Sequence, residues 1–142
     1  MHNHYEANYM LGNKKALFHN LVSYYNYLDE SPFDFIPKTY HIDKIGSRNW
    51  KIFEKSFKEE AKRNTVWIIK PGENSNCGNG ISVASNLDKI KKRFEKKKNK
   101  TQTFIIQKYL TNLFLFQKRK FDIRTYLLMI NIGGVSKFYW YN

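Results

Sequence analysis

The 142 residues are 42% hydrophobic and 17% aromatic, enough to bury one core, and they carry a formal charge of +13. A single cysteine, Cys77, excludes an internal disulfide, and no run approaches the about 20 consecutive apolar residues of a membrane-spanning helix, so a soluble protein of a reducing, cytoplasmic compartment is expected. The charge attracts polyanions in general, whether nucleotide, nucleic acid, anionic lipid or acidic polypeptide, and selects none of them.

Leu17, Leu21, Tyr25 and Leu28 recur every three or four residues and predict an amphipathic packing helix over 13–28. Pro32 and Pro37 disfavour helix in the next stretch, and Thr39, Tyr40 and Ile42 favour strand, so 33–42 is read as extended. Trp50, Phe53, Phe57 and Ala61 mark a second helix over 47–63. A short apolar strand over 65–70, a polar glycine-containing loop over 71–80 and a second extended segment over 81–84 follow. Ser85 or Asn86 caps a third helix, with Leu87, Ile90 and Phe94 on one face and a lysine run from Lys89 to Lys100 around it. Further strands are predicted over 103–109 and 120–132, the latter turned at Gly133 and Gly134 into 135–141.

The loop Pro71-Gly72-Glu73-Asn74-Ser75-Asn76-Cys77-Gly78-Asn79-Gly80 has two glycines flanking one residue, which lets backbone N–H groups approach an anion. Taken alone it is an ordinary polar hairpin or a phosphate cover. Lys70 ends the preceding strand and can aim one ammonium at the same anion. On a strand from 120, Lys120, Asp122 and Arg124 share a face; they form either a salt-bridged edge or a charged site for phosphate, ribose and the charge that develops during group transfer. Gln107-Lys108-Tyr109-Leu110 ends an apolar strand, where backbone groups can meet a planar ligand edge.

In order and spacing, Trp67-Ile68-Ile69-Lys70-Pro71, Gly78-Asn79-Gly80-Ile81, Gln107-Lys108-Tyr109-Leu110 and Lys120-Phe121-Asp122-Ile123-Arg124 resemble tubulin tyrosine ligase-like proteins. Asn3-His4, Asn13-Lys14-Lys15 and Pro37-Lys38-Thr39-Tyr40-His41-Ile42 extend the likeness over nearly the whole chain. The resemblance implies an α+β, partial ATP-grasp fold with mixed or antiparallel sheets and flanking helices, the C-terminal part of the fold lying outside this chain. Its expected parts are a helical lead-in over 1–63, a nucleotide-binding part over 64–110 and the start of a C-terminal sheet over 111–142. By the same likeness Lys70 and the loop Gly78, Asn79, Gly80 and Ile81 bind ATP phosphates, and Gln107, Lys108, Tyr109 and Leu110 meet adenine. Lys120 and Asp122 complete the nucleotide site and Arg124 faces the reacting groups.

The implied activity is an ATP-dependent ligase that joins glutamate, glycine or tyrosine to a carboxylate of tubulin or another protein through an acyl phosphate, in the cytoskeleton or cilium. Acidic tubulin tails suit the positive field. Two departures are visible. Cys77 stands where the family often has a basic residue, and the family's Mg²⁺-holding glutamate and asparagine are expected beyond residue 142, so this chain alone is expected to be inactive. The alternative is an inactive fragment, or a basic microtubule- or nucleic-acid-binding module that keeps the fold. No metal site is assigned: His2 and His4 lack further ligands, and His19 and His41 show no partner in sequence. Aromatics are not interleaved with the lysine run, which counts against nucleic acid and leaves a solvated face as its default reading.

Overall fold

A computed structural model of the chain describes residues 7–73, 78–97 and 101–141. Asn3, His4, Cys77, Lys98 and Lys100 lie outside the described residues. Two compact units are present, Met1–Thr111 and Asn112–Asn142. The fold is α+β, and every strand pairing in it is antiparallel.

In the first unit a short helix α1 (Tyr9–Gly12) leads into α2 (Lys14–Tyr27). The Asn13 side chain starts α2 by accepting from the N–H groups of Lys15 and Ala16 at 2.9 and 3.1 Å, which satisfies two donors that the first turn leaves open. The stretch after Pro32 is not extended throughout: Pro32–Asp34 form one 3₁₀ turn, because the Ser31 hydroxyl caps Phe33 N–H and proline is suited to a first helical position. Only Thr39–Ile42 form a strand, β1. Helix α3 (Arg48–Glu60), capped by Ser47, continues as a 3₁₀ turn over Ala61–Arg63 that Asn64 ends in the left-handed conformation. Strands β2 (Trp67–Pro71) and β3 (Ser82–Ala84) precede α4 (Leu87–Glu95), whose cap is Asn86, and β4 (Phe104–Lys108) completes a sheet ordered β1-β4-β2-β3.

The alternation of β2 and β4 gives this sheet two faces. Ile42, Trp67, Ile69, Phe104 and Ile106 turn toward α3 and α4 and are almost fully buried with Trp50, Phe53, Ile90 and Phe94. Edge-to-face ring contacts knit the layers together, with Phe53 at 5.2 Å from Trp67 and Phe94 at 4.8 Å from Phe104. Each such side chain contributes about 1.5–3 kcal/mol through burial. The opposite face carries Thr39, His41, Ile68, Lys70, Ile105 and Gln107, and α2 lies over part of it.

The second unit is a hairpin of β5 (Tyr126–Ile132) and β6 (Val135–Tyr141). Gly133 and Gly134, at φ of 59° and 80°, make the two-residue turn whose twist matches the strands. The strand expected from residue 120 begins only at Tyr126. Register explains the difference: Tyr126 pairs with Tyr141, so residues 120–125 have no ladder partner among the described residues. Upstream, Gln117 and Lys118 adopt φ of 48° and 61° in a tight turn closed by Phe116 and Arg119.

Candidate functional site

Lys70 and Gln107 meet on the sheet face opposite the aromatic core. The register sets Lys70 against Ile105 and Ile68 against Gln107, so the two polar side chains lie diagonally across β2 and β4. Lys70 Nζ donates to Gln107 Oε1 at 2.8 Å. Gln107 Nε2 in turn donates to Thr39 Oγ1 at 2.8 Å, and the Thr39 hydroxyl donates to the Pro37 carbonyl at 2.6 Å. A cavity of about 150 Å³ beside this chain is lined by Leu17, Phe18 and Leu21 of α2 as well as by Thr39, Lys70 and Gln107. That volume is below the roughly 300–1,000 Å³ of small-molecule clefts, so this gap does not itself enclose a nucleotide.

The loop after Lys70 is fastened at both described ends. At its start Glu73 accepts from the Thr103 backbone N–H at 2.9 Å and from the Thr103 hydroxyl, and pairs with Lys15 of α2 at 3.1 Å. Burial opposes the Glu73 charge, but the Thr103 hydrogen bonds and Lys15 outweigh it and hold the carboxyl below its ordinary range. At the loop's far end Arg93 of α4 donates to the Gly80 carbonyl at 3.1 Å while its guanidinium lies 5.0 Å from the centre of the Phe104 ring. Gly78 and Gly80 both sit at φ +75°, where a Cβ is disfavoured, and a Cβ on Gly80 would come within 2.9 Å of Pro71 Cγ. Gly78, Asn79, Gly80 and Ile81 are exposed, with Ile81 N–H closing a turn on the Gly78 carbonyl at 3.2 Å. Residues 74–77, Cys77 among them, lie outside the described residues.

Lys108 has a different setting. Its side chain reaches the core side of the sheet and pairs with Glu60 at 2.7 Å, where Lys38 also binds at 3.2 Å and the Thr65 hydroxyl at 3.0 Å. The Lys108 bond above all, helped by Lys38 and Thr65 and opposed by burial, lowers the Glu60 carboxyl to about 2. The backbone N–H groups of Lys108 and Tyr109 are spent on the carbonyls of Lys38 and Val66 at 2.8 and 2.9 Å. Tyr109 and Leu110 follow the strand, with Leu110 exposed.

Lys120, Asp122 and Arg124 are exposed residues of the second unit. They precede β5 rather than standing on it, so strand alternation does not place them on one face. Among the described residues no group of three or more His, Cys, Asp or Glu could hold a metal ion. No helix among them is long and apolar enough to cross a membrane.

Several features were invisible to sequence reasoning because they join distant segments. His19 Nε2 and His41 Nδ1 lie 3.0 Å apart with their rings edge to face, which supplies the partner each lacked in sequence. They line a separate cavity of about 500 Å³ between α2, the Pro32 turn, β1 and α3, which carries none of the predicted site residues. Burial first, and then the neighbouring His19 and Lys15, depress the His41 pKa. Thr39, Glu60, Glu73 and Arg93 had no assigned role, and only the sheet register and the helix placement show what they hold.

Comparison with known proteins places the chain in a family. The chain is 40% identical over 89 residues to tubulin glycylase 3B of Drosophila melanogaster, covering 63% of this chain and 11% of the relative. It is 44% identical over 64 residues to tubulin glycylase 3C of Tetrahymena thermophila, covering 45% of this chain and 6% of that protein. Tubulin monoglutamylase TTLL4 of Mus musculus matches at 26% over 125 residues, 88% of this chain and 9% of the relative. The chain thus spans about a tenth or less of the length of each. The family model described as the tubulin-tyrosine ligase family matches residues 1–142, and the chain belongs to that family.

Proposed function

We propose that the chain supplies the ATP-holding part of a ligase that joins an amino acid to a carboxylate of tubulin or another protein through an acyl phosphate. The observation that carries this reading is the Lys70–Gln107 pair on one sheet face, with the glycine loop leaving β2 immediately after it. Lys70 offers an ammonium to phosphate, and Gly78, Asn79 and Gly80 offer backbone N–H groups at an exposed turn that the Ile81 N–H closes on the Gly78 carbonyl. Because the Lys108 side chain is committed to Glu60 and the Lys108 and Tyr109 N–H groups to the Lys38 and Val66 carbonyls, these two residues are assigned to adenine through their backbone carbonyls, together with Leu110. On the family likeness alone, Lys120 and Asp122 are assigned to the nucleotide and Arg124 to the charge that develops in transfer. The named relatives act on tubulin as glycylases and a monoglutamylase; glycine or glutamate as the added group, and tubulin as the acceptor, come to this chain from that likeness. Mg²⁺ would neutralise and bridge phosphates in such chemistry, but no step is assigned to the described residues through it.

Calorimetric titration of the chain with ATP tests the reading. Lys70→Ala removes a charge-assisted hydrogen bond and is expected to weaken binding about tenfold or more. Equal affinity in parent and variant removes Lys70 from the site.

A further inference from the structure

We propose that Thr39, which lies on a different strand from Lys70, positions the Lys70 ammonium through Gln107; this rests on the reading of Lys70 as a phosphate contact. Thr39 stands directly opposite Gln107 in the β1–β4 register and is 3% exposed. Its hydroxyl has one proton, and that proton is given to the Pro37 carbonyl at 2.6 Å. Toward Gln107 the Thr39 oxygen can therefore only accept, and it receives the Nε2 hydrogen at 2.8 Å. A primary amide held by its nitrogen has its carbonyl oxygen fixed on the other arm of the planar group, and that oxygen is the one 2.8 Å from Lys70 Nζ. The direction of every donor in the series Lys70, Gln107, Thr39, Pro37 follows from the one proton that Thr39 gives away.

The Gln107 carbonyl is a neutral acceptor that meets the Lys70 ammonium head-on at 2.8 Å. A lysine stem has four rotatable bonds, so fixing its head before an anion arrives reduces the ordering left to be done on binding. Thr39 is thus a positioning residue that need not touch the ligand.

Thr39→Val keeps the shape of the side chain and deletes the hydroxyl, while Thr39→Ser restores it. The expected result is ATP binding weakened about three- to tenfold in Thr39→Val, the range of one lost neutral hydrogen bond, and within about twofold of the parent in Thr39→Ser. In a Lys70→Ala background Thr39→Val should cause no further loss. An equal loss with and without Lys70, or none in either, overturns the proposal. Carbon-13 NMR of the Lys70 Cε separates this outcome from failure of the nucleotide reading: with no ATP present, its signal should shift in Thr39→Val and return to the parent position in Thr39→Ser. An unmoved signal in Thr39→Val overturns the link whether or not the chain binds ATP.

Discussion

Replacing Glu60 by glutamine removes one charge from the point where α3, β4 and the segment before β1 are tied together. The carboxyl falls from 4.5 to about 2 in the folded chain, which at about 1.36 kcal/mol per pKa unit sets an upper bound of about 3.4 kcal/mol. Its side chain is only 6% exposed, yet its partners Lys38 and Lys108 are 44% and 33% exposed, so water screens both ion pairs. A discounted loss of about 1–2 kcal/mol is expected, since both ammonium groups can turn to solvent once the charge is gone. For a unit of this size each kcal/mol corresponds to about 4–8 °C in melting temperature. The sign with pH is definite. A depressed carboxyl stabilises the fold above its unfolded pKa near 4.5, and that stabilisation is lost as pH falls toward about 2. Thermal denaturation of parent and Glu60→Gln should therefore differ fully at pH 7 and by less than half as much at pH 3. A difference that stays the same at both pH values would refute the ion-pair account and leave shape or packing as the cause.

Gly80→Ala should lower thermal stability more than Gly78→Ala: both pay the left-handed strain of about 1–2 kcal/mol, but only the Gly80 Cβ meets Pro71, and equal melting shifts would contradict the loop geometry. The His41 ring should titrate below 6.5 by proton NMR, because burial and then His19 and Lys15 disfavour its charge; the stability tied to it is present above pH 6.5 and lost as pH falls through the folded value. A midpoint at or above 6.5 would contradict its placement. Charge reversal of the exposed Lys89 and Lys92 of α4 and of Lys96 at its C-terminal cap should reduce microtubule co-sedimentation, most at low salt. Unchanged pelleting across a salt series leaves those lysines as a solvated face.

Periodicity was enough to find α3, α4 and the apolar strands, because their buried residues recur at the spacing of one face: Trp50 and Phe53, Ile90 and Phe94, Trp67 and Ile69; α2 followed the same pattern, although its Leu17, Leu21 and Tyr25 are only half-buried. Caps sharpened the boundaries, with Asn13, Ser47 and Asn86 each accepting from the first turn. Residues 120–125 misled the same reasoning. Lys120 to Arg124 alternates like a strand, but strand requires a ladder partner, and the hairpin register supplies one only from Tyr126. Within the candidate site, the motifs named Lys70 and Gln107 but not their contact, which depends on β4 lying between β1 and β2. Strand alternation then turns Lys108, one residue further on, to Glu60 on the other face. The His19–His41 pair spans 22 positions and leaves no local signal.

The central claim is that ATP lies against the Lys70 face and the Gly78–Ile81 turn. Two-dimensional amide NMR of the chain titrated with ATP measures this directly. Shifts should be largest at Lys70, Gly78, Asn79, Gly80 and Ile81, with the Gln107 side-chain amide moving alongside, and in Lys70→Ala the shifts that remain should need at least about tenfold more ATP. Shifts confined to the α4 lysines, unchanged by Lys70→Ala, would show that the nucleotide is drawn only to the positive surface and would contradict the claim.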